Sequence, residues 1–195
     1  MTVRGALATD ADDIARLLVA ASGGLVDYVF AYAAPDHDPV AVMTRAVADI
    51  LSLYSYRNCF VAVEEKTIVA TVNAFPAEAY RLDPTVADAL PPAVLERLRP
   101  IYETTVPGSL YLSGMGVAAG HRGHGHGGEL MAALFAEARR LGREEVSLLV
   151  WGDNVNAVRF YAAMGFTRRR KIAVDLGPGH RHEEGMLLMV APTPA

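Results

Sequence analysis

A strand, a glycine-rich turn and a helix follow one another in the second half of the chain, and this order limits the folds that the sequence can adopt. Residues 110–117 are an apolar run that predicts a strand, and residues 129–141 carry apolar side chains at helical spacing. The turn between them, residues 117–128, includes the closely spaced glycines Gly123, Gly125, Gly127 and Gly128.

Such a turn is well suited to bind an anion. Glycine has no Cβ, so the backbone N–H groups of the turn can approach a ligand closely. The first N–H groups of the following helix lack partners within the helix and carry the positive end of its dipole. We therefore expect an anion site here, most naturally for phosphate or pyrophosphate.

Alternating or continuous apolar runs predict the remaining strands, at residues 2–7, 58–64, 67–75, 145–151, 166–176 and 184–190. Residues 65–66 form a tight hairpin turn, and residues 177–179 break the chain before the last strand. Residues 78–107 are rich in proline but keep leucines and an isoleucine for burial. They are expected to leave the sheet as an excursion that shapes a substrate site or an interface between subunits.

Apolar residues at three- and four-residue spacing predict helices in the first half of the chain. One follows Thr9 and Asp10, and another starts at Pro39 with Asp38 as its cap and carries apolar residues through Leu51. Residues 25–32 are equally compatible with helix and loop. Together with the strands, this order predicts one α/β domain over residues 1–195, a mixed sheet with helices on its faces.

Composition and charge exclude several functional classes. The formal net charge is −4 without a long basic run, so nucleic acid is not an expected partner. No apolar stretch approaches the ~20 residues of a membrane helix, and the first residues lack the apolar core of a signal peptide. The single cysteine, Cys59, lies in a predicted buried strand and fits a structural thiol. A cytoplasmic protein that does not bind membranes is therefore expected.

Two motifs resemble the GNAT family of N-acetyltransferases. The six residues from Arg122 to Gly127 resemble the Arg/Gln-x-x-Gly-x-Gly/Ala signature of that family. Downstream, at a distance typical of the family, a second motif is carried by Asn154, Ala157, Phe160, Tyr161, Gly165 and Phe166. Nucleotide-binding proteins also use glycine turns, but this turn lacks the Lys-Ser/Thr of a P-loop and follows a β-hairpin late in the chain.

The resemblance implies a fold and a cofactor site. The fold would be a GNAT-like single domain with a mixed, mostly antiparallel sheet and helices on both faces. Acetyl-CoA would be the co-substrate, with its pantetheine arm along the main chain of Met115, Gly116 and Val117. The pyrophosphate would lie on the turn formed by Arg122, Gly123, His124, Gly125, His126 and Gly127. Asn154 would contact the cofactor or cap its own helix, and it can do both.

The resemblance also implies direct acyl transfer to an amine, with Tyr161 protonating the departing thiolate. A phenol with a pKa of about 10 can match a thiolate with a pKa of about 8–9; core packing is the other explanation for this residue. The predicted central strand has no Asp or Glu to act as general base. Ser113 is therefore a candidate for positioning a water, with Tyr111 on the same strand face. The other candidate bases are Glu78, Glu103 and Asn73.

A metal site is not expected at the histidines of the turn, His121, His124 and His126. Their spacing does not place them on one helix face, and no acidic or thiolate side chain accompanies them in the sequence. His126 is expected either to contact the phosphates or to fill a tolerant position. His180 and His182, near the break at residues 177–179, are expected to be exposed to solvent.

The sequence thus predicts an acyl-CoA-dependent N-acetyltransferase that acts on a small-molecule amine or on a peptide or protein amine, with a possible homodimer. A non-catalytic acyl-CoA-binding or regulatory module on the same fold is the alternative, because the strand carboxylate is missing. Residues 25–38 and the excursion are expected to wall the acceptor site. They would supply aromatic side chains from Tyr28, Phe30, Tyr32, Tyr80 and Tyr102.

Overall fold

The computed structural model describes residues 1–177 and 180–194. The strands of these residues are β1 (Thr2–Gly5), β2 (Cys59–Glu64), β3 (Thr67–Pro76), β4 (Leu110–Val117), β5 (Glu145–Trp151), β6 (Thr167–Ile172) and β7 (Met186–Pro192). They form one sheet in the order β1-β2-β3-β4-β5-β7-β6. Neighbouring strands are antiparallel except β4 and β5, which are parallel. The predicted mixed, mostly antiparallel sheet is confirmed.

The helices of the described residues are α1 (Ala11–Ala21), α2 (Leu25–Ala33), α3 (Pro39–Ala48), α4 (Pro84–Ala89), α5 (Pro92–Tyr102), α6 (His126–Arg140) and α7 (Val155–Ala163). Helices α6 and α7 bury their apolar sides on one face of the sheet. On the other face, α1 and α3 pack over β2, while α2, α4 and α5 pack over the end formed by β5, β7 and β6. Both faces are therefore covered, as the sequence predicts.

Within the described part of the chain, no single helix is long and apolar enough to cross a membrane. The segment Ala8–Ala21 and helix α2 pass that test of length and composition only as a pair, and they are bent by 107° relative to each other.

Some predicted boundaries are wrong. Helix α3 ends at Ala48 rather than continuing to Leu51, whose side chain is 88% exposed. The reason is local: the Asp49 carboxylate accepts a hydrogen bond from the Leu51 N–H at 2.9 Å, which competes with the helix. The strand predicted for residues 166–176 ends at Ile172. Of the predicted break at residues 177–179, Pro178 and Gly179 lie outside the described residues.

The excursion between β3 and β4 helps to build a core cluster of its own. Its buried residues Leu90, Leu98 and Ile101 belong to one apolar cluster with Val29 of α2 and Trp151 of β5. Residues 25–32, for which the sequence allows helix or loop, belong to helix α2, which packs against the excursion. Residues that are distant in sequence therefore form a common layer over one end of the sheet.

The central strands β4 and β5 are joined at one end and separate at the other. Their register covers Leu110↔Val146, Tyr111↔Ser147 and Leu112↔Leu148, and no further pair of the described residues extends it. At the joined end the hydroxyls of Ser109 and Ser147 lie 2.7 Å apart and are buried. Beyond Leu112 a gap opens between the two strands in the middle of the sheet.

Candidate active site

The gap leaves one edge of β4 without a neighbouring strand. On its other side β4 pairs with β3, with Met115 opposite Val72 and Gly116 opposite Thr71. The main-chain N–H and C=O groups that point away from β3 therefore face the gap. An extended ligand can pair with such an edge as an additional strand would. The resemblance to the GNAT family predicts that the pantetheine arm lies along Met115, Gly116 and Val117, which are on this edge.

Arg122 contacts the end of this edge. Its Nε donates a hydrogen bond to the Val117 carbonyl at 3.1 Å, so the exposed side chain folds back over β4. A carbonyl oxygen has two lone pairs. Val117 can therefore still accept a hydrogen bond from a ligand, and Arg122 leaves its terminal guanidinium nitrogens at the mouth of the gap.

The glycine turn has the backbone geometry of an anion site. Gly123 and Gly125 have φ angles of +80° and +90°, which side chains rarely adopt, and a Cβ built at either position would meet open space. Gly125 is the N-cap of α6, and the helix begins at His126 rather than at the predicted residue 129. Its first N–H groups therefore belong to the turn itself and are free for a ligand.

The side chain of His126 is 2% exposed and does not reach toward the open side of the turn. Its ring instead packs beneath the turn, where Nδ1 lies 2.6 Å from the Met1 sulfur and Nε2 lies 3.6 Å from a Glu64 carboxylate oxygen. His124 is exposed.

No acidic side chain lies near these histidines in the sequence, but the fold places the carboxylate of Glu64 beside them. Glu64 ends β2, and one of its carboxylate oxygens lies 2.9 Å from Nδ1 of His121. The two residues are 57 positions apart, so no local pattern reveals the contact.

Glycine also permits close packing around β4. A Cβ at Gly116 would lie 2.5 Å from the Leu17 carbonyl oxygen of α1, and a Cβ at Gly127 would lie 3.0 Å from the Phe160 ring. The same Gly127 position is 3.9 Å from the Met115 sulfur. The start of α6, the gap-facing strand and helix α7 are thus brought together, which joins the two motifs found in the sequence.

Tyr161 lies on α7 within the cluster that packs this side of the sheet. Its side chain is 8% exposed and contacts the rings of Phe160 and Phe166, with centroids 5.3 and 5.6 Å away. Burial raises the pKa of the Tyr161 phenol well above its usual value. The residue therefore stays protonated at neutral pH, and it is at the same time part of the core.

Asn154 caps α7. Its side-chain oxygen accepts a hydrogen bond from the Ala157 N–H at 3.3 Å, so the capping role is present. The amide nitrogen of Asn154 is not used by this bond. A cofactor contact through that nitrogen is compatible with the cap.

Ser113 occupies a β-bulge at the point where the gap opens. Asn73 of β3 is opposite Gly114 while Ala74 is opposite Leu112, so Ser113 is the additional residue of β4. Burial raises the pKa of Tyr54, and a contact with the Ser113 hydroxyl opposes that rise. Asn73 is fully buried, and its side-chain oxygen has no protein partner among the described residues.

The two acidic candidates for the general base do not lie at the gap. Glu78 is exposed beside the joined end of the strands, where it accepts hydrogen bonds from the Gly108 N–H at 2.8 Å and from Arg143 at 3.0 Å. Hydrogen bonds from its own backbone and from Gly108 lower the pKa of Glu78. Glu103 ends α5 and lines a cavity of about 530 Å³ between that helix and β6. Neither carboxylate is placed to activate a substrate in the gap.

Aromatic residues of the excursion pack behind β4 rather than around an open site. The rings of Tyr80 and Tyr111 stack with centroids 4.4 Å apart, and Tyr102 lies 5.2 Å from Tyr80. Burial is the main cause that raises the pKa of all three phenols. Of the aromatic residues predicted to wall the site, Tyr28 lines a surface cavity and Tyr32 is exposed.

A second group of polar residues was not predicted. The imidazole of His182 stacks on the indole of Trp151, 4.8 Å away and 7° from parallel, and its Nδ1 lies 2.5 Å from Asp153. The His182 side chain is only 12% exposed, and its Nε2 and that of His180 are buried. The expectation that both histidines are exposed to solvent is wrong, because they pack against Trp151 at the end of β5.

This group reaches the junction between α1 and α2. The indole N–H of Trp151 donates a hydrogen bond to the Ser22 carbonyl at 3.2 Å, and a Cβ at Gly23 would overlap the indole. A cavity of about 710 Å³ lies beside the junction, lined by Gly23, Tyr28, His180 and Arg181 among others. Trp151 ends β5 on the side where the gap is open, so the cavity and the gap lie at the same end of the sheet.

Residues 28–166 match the family described as the acetyltransferase (GNAT) family. N-alpha-acetyltransferase 40 of Saccharomyces cerevisiae is 36% identical over 89 residues, which is 42% of this chain and 31% of the yeast protein. The match thus spans about a third of the length of that relative.

The fold is also found in solved structures. An N-acetyltransferase from Staphylococcus aureus Mu50 superposes with a TM-score of 0.73 at 16% identity, over 98% of this chain and all of the other. A diaminobutyrate acetyltransferase from Paenibacillus lautus, in complex with L-2,4-diaminobutyric acid and coenzyme A, gives a TM-score of 0.61 at 17% identity, over 100% of this chain and 96% of the other. At these identities the likeness establishes the fold.

Proposed function

This chain belongs to the acetyltransferase (GNAT) family, as its two motifs predict, and we propose that it transfers an acetyl group from acetyl-CoA directly to an amine. The observation that carries the proposal is the free edge of β4, which leads into a glycine turn and the N-terminus of α6. An extended arm that ends in a pyrophosphate is the ligand that fits an open strand edge followed by an anion site.

The proposed cofactor contacts are mostly main-chain. Met115, Gly116 and Val117 would pair with the pantetheine arm. The N–H groups from Arg122 to Gly127 would hold the pyrophosphate, with the open space over Gly123 and Gly125 leaving room for it. Because the ring of His126 is buried beneath the turn, this residue would contribute its main-chain N–H to the site.

Acetyl-CoA supplies a thioester, in which the acetyl carbon is already activated for attack by an amine. The residues of the gap then have two tasks. Main-chain N–H groups of β4 near Met115 stabilise the negative charge that develops on the carbonyl oxygen. Tyr161 donates a proton to the departing sulfur as the C–S bond breaks, and the tyrosinate takes a proton back from solvent before the next turnover.

The amine must lose a proton before it can attack. Because both acidic candidates lie elsewhere, we propose that a water at the β4 bulge accepts the proton, held by the Ser113 hydroxyl close to Tyr54. Ser113 thus positions the water and does not bond to the acetyl group. The proton leaves through this water to solvent.

The acceptor is proposed to enter at the open end of the gap, beside Trp151 and the junction of α1 and α2. Two names among similar proteins suggest its class. The yeast relative is named an N-alpha-acetyltransferase, and the Paenibacillus structure contains a small diamino acid. Peptide N-termini and small diamines are accordingly the first acceptors to compare.

One observation favours a second candidate function. The described residues at the open part of β4 include no carboxylate, which a non-catalytic acyl-CoA-binding module would not need. The two functions differ in a simple assay. Thiol release from acetyl-CoA, followed over a panel of peptide and small-molecule amines, would rise above the background rate only for an enzyme.

A thermal-shift comparison tests the ligand independently. Acetyl-CoA should raise the melting temperature, since a ligand that binds only the folded state stabilises it. ATP and NAD should have little effect. A rise with ATP or NAD but not with acetyl-CoA would contradict the proposed cofactor and favour a nucleotide-binding protein.

A further inference from the structure

Three side chains with metal-binding atoms meet beneath the glycine turn. They are Glu64 at the end of β2, His121 in the short helical turn after β4, and His126 at the start of α6. One ligand atom from each residue lies within 4.8 Å of the other two. The cluster uses one carboxylate and two imidazoles, which are common ligands of zinc.

The tautomer of His126 can be inferred from its contacts. Its Nδ1 lies 2.6 Å from the Met1 sulfur, and a thioether sulfur can only accept a hydrogen bond. For the neutral imidazole we therefore assign the proton to Nδ1. This leaves Nε2 with its lone pair, which is the form of imidazole that binds a metal ion.

The Nε2 atom of His126 is buried and has no hydrogen-bond partner among the described residues. Its nearest charged group is the Glu64 carboxylate at 3.6 Å, which is itself an acceptor and cannot donate to a lone pair when ionised. Leaving a buried polar atom unsatisfied destabilises the folded state. A cation between the imidazole and the carboxylate would satisfy both groups at once.

We propose that Glu64, His121 and His126 bind a divalent transition-metal ion of the zinc type. Zinc binds imidazole and carboxylate atoms at ~2.0–2.2 Å in tetrahedral geometry, so two atoms on one ion lie about 3.3–3.6 Å apart. The ligand atoms, which lie within 4.8 Å of one another, must therefore move closer by up to about 1.5 Å. Glu64 and His121 can supply this movement, because their side chains are 35% and 40% exposed.

A fourth ligand is available from water or from His124. The His124 ring is exposed, and its centroid lies 6.2 Å from that of His126. Three protein ligands with one exchangeable position are sufficient for a zinc site. The spacing of the histidines in the sequence predicts no metal site. The proposal differs from that prediction because the fold adds a third ligand, Glu64, from a remote strand.

The ion would join β2 to both ends of the glycine turn. His121 directly precedes Arg122, and His126 follows Gly125, so the ligands enclose the segment 122–125. Binding to the folded chain alone would raise the melting temperature. This effect concerns folding and metal affinity, and it does not require acyl transfer.

The test uses the untagged protein of residues 1–195 after treatment with a chelator and in the absence of coenzyme A. Competition with a chromophoric zinc chelator should show about one bound Zn²⁺ per chain. Co²⁺ in the same site should give the visible absorption of a low-coordinate ion with nitrogen and oxygen ligands. Zn²⁺ should also raise the melting temperature.

The decisive variants are His121→Ala and Glu64→Gln, both at partly exposed positions, so that folding can be checked by circular dichroism. Each should weaken zinc binding at least about tenfold, since even loss of an outer partner of a metal ligand has an effect of that size. His37→Ala removes an exposed histidine elsewhere and should bind zinc as the unmodified protein does. The proposal is overturned if the unmodified protein binds no zinc, or if folded His121→Ala and Glu64→Gln bind it as tightly as the His37→Ala control.

Discussion

The two sides of the gap between β4 and β5 are built in different ways. The proposed donor half, consisting of residues 113–127 and helix α7, uses mainly backbone: a free strand edge, glycines with positive φ, and a helix N-terminus. The proposed acceptor half consists of the junction between α1 and α2, residues 151–153 and residues 180–182. It uses side chains that come from three separate parts of the chain.

This difference suggests that the fold separates binding of the cofactor from selection of the acceptor. Backbone groups bind a constant ligand, because their positions depend little on side-chain identity. Side chains from remote segments can change without disturbing the strand edge, so they are suited to select an acceptor. Substitutions in the two halves should accordingly affect different kinetic constants.

The largest effect is expected at Tyr161, which lies on α7 in the donor half. Tyr161→Phe keeps the aromatic packing but removes the proton donor, so kcat should fall by roughly 100-fold or more while acetyl-CoA binds with near-normal affinity. Steady-state kinetics with calorimetry measures both. Tyr32→Phe removes an exposed hydroxyl and is the matched control. Unchanged turnover in Tyr161→Phe would limit this residue to packing.

A smaller effect is expected from the donor turn. Gly125→Ala and Gly142→Ala both place a Cβ at a positive φ, +90° and +65°, at the two ends of α6. Each should lose about 1–2 kcal/mol of stability. Only Gly125→Ala should weaken acetyl-CoA binding, by about tenfold, since its Cβ enters the space proposed for the pyrophosphate. Equal acetyl-CoA affinity in the two variants would argue against this position of the anion.

The acceptor half should respond through the amine. Asp153→Asn removes the charge that orients His182, so the KM for the amine should rise about threefold to tenfold, while acetyl-CoA affinity stays the same. A change confined to acetyl-CoA affinity would reverse the assignment of the two halves.

The same contact predicts a dependence of stability on pH. Burial raises the pKa of Asp153. The hydrogen bond with His182, the hydrogen bond from the Glu183 N–H and the charge of His182 lower the pKa by more in sum, so the net pKa of Asp153 is below its usual value. This stabilisation is complete above the usual Asp pKa of about 4 and is lost as the pH falls through the lower folded value. The stability difference between the unmodified protein and Asp153→Asn should therefore shrink in acid, which denaturation at several pH values would reveal.

The smallest effect is expected at the helix caps. Asn154→Ala and Asp38→Ala each remove a side-chain oxygen that caps a helix, so each should lower stability by ~0.5–2 kcal/mol. If Asn154 also contacts the cofactor, only Asn154→Ala should additionally weaken acetyl-CoA binding. Calorimetry on both variants decides whether this residue belongs to the donor half or only caps α7.

Much of the donor half could be predicted because its signals are local. The cap at Asn154 follows from neighbouring residues, as does the hairpin at Glu65 and Lys66, which lies outside the donor half and has positive φ at both residues. The start of α6 was predicted too late, because glycines disfavour helix in isolation. The sequence does not distinguish helix from loop at α2, because the apolar face of this helix is buried by the excursion, which is distant in sequence.

The sequence by itself determined the order of the strands and helices, the glycine turn and the family to which the chain belongs. These depend on periodicities, caps and turns that act over a few residues. Only the tertiary structure decided that Glu64 lies against His121 and that His182 stacks on Trp151. Such contacts arise when the sheet brings distant segments together. Burial then holds these side chains in place, and the neighbouring residues in the sequence do not indicate which partners they will meet.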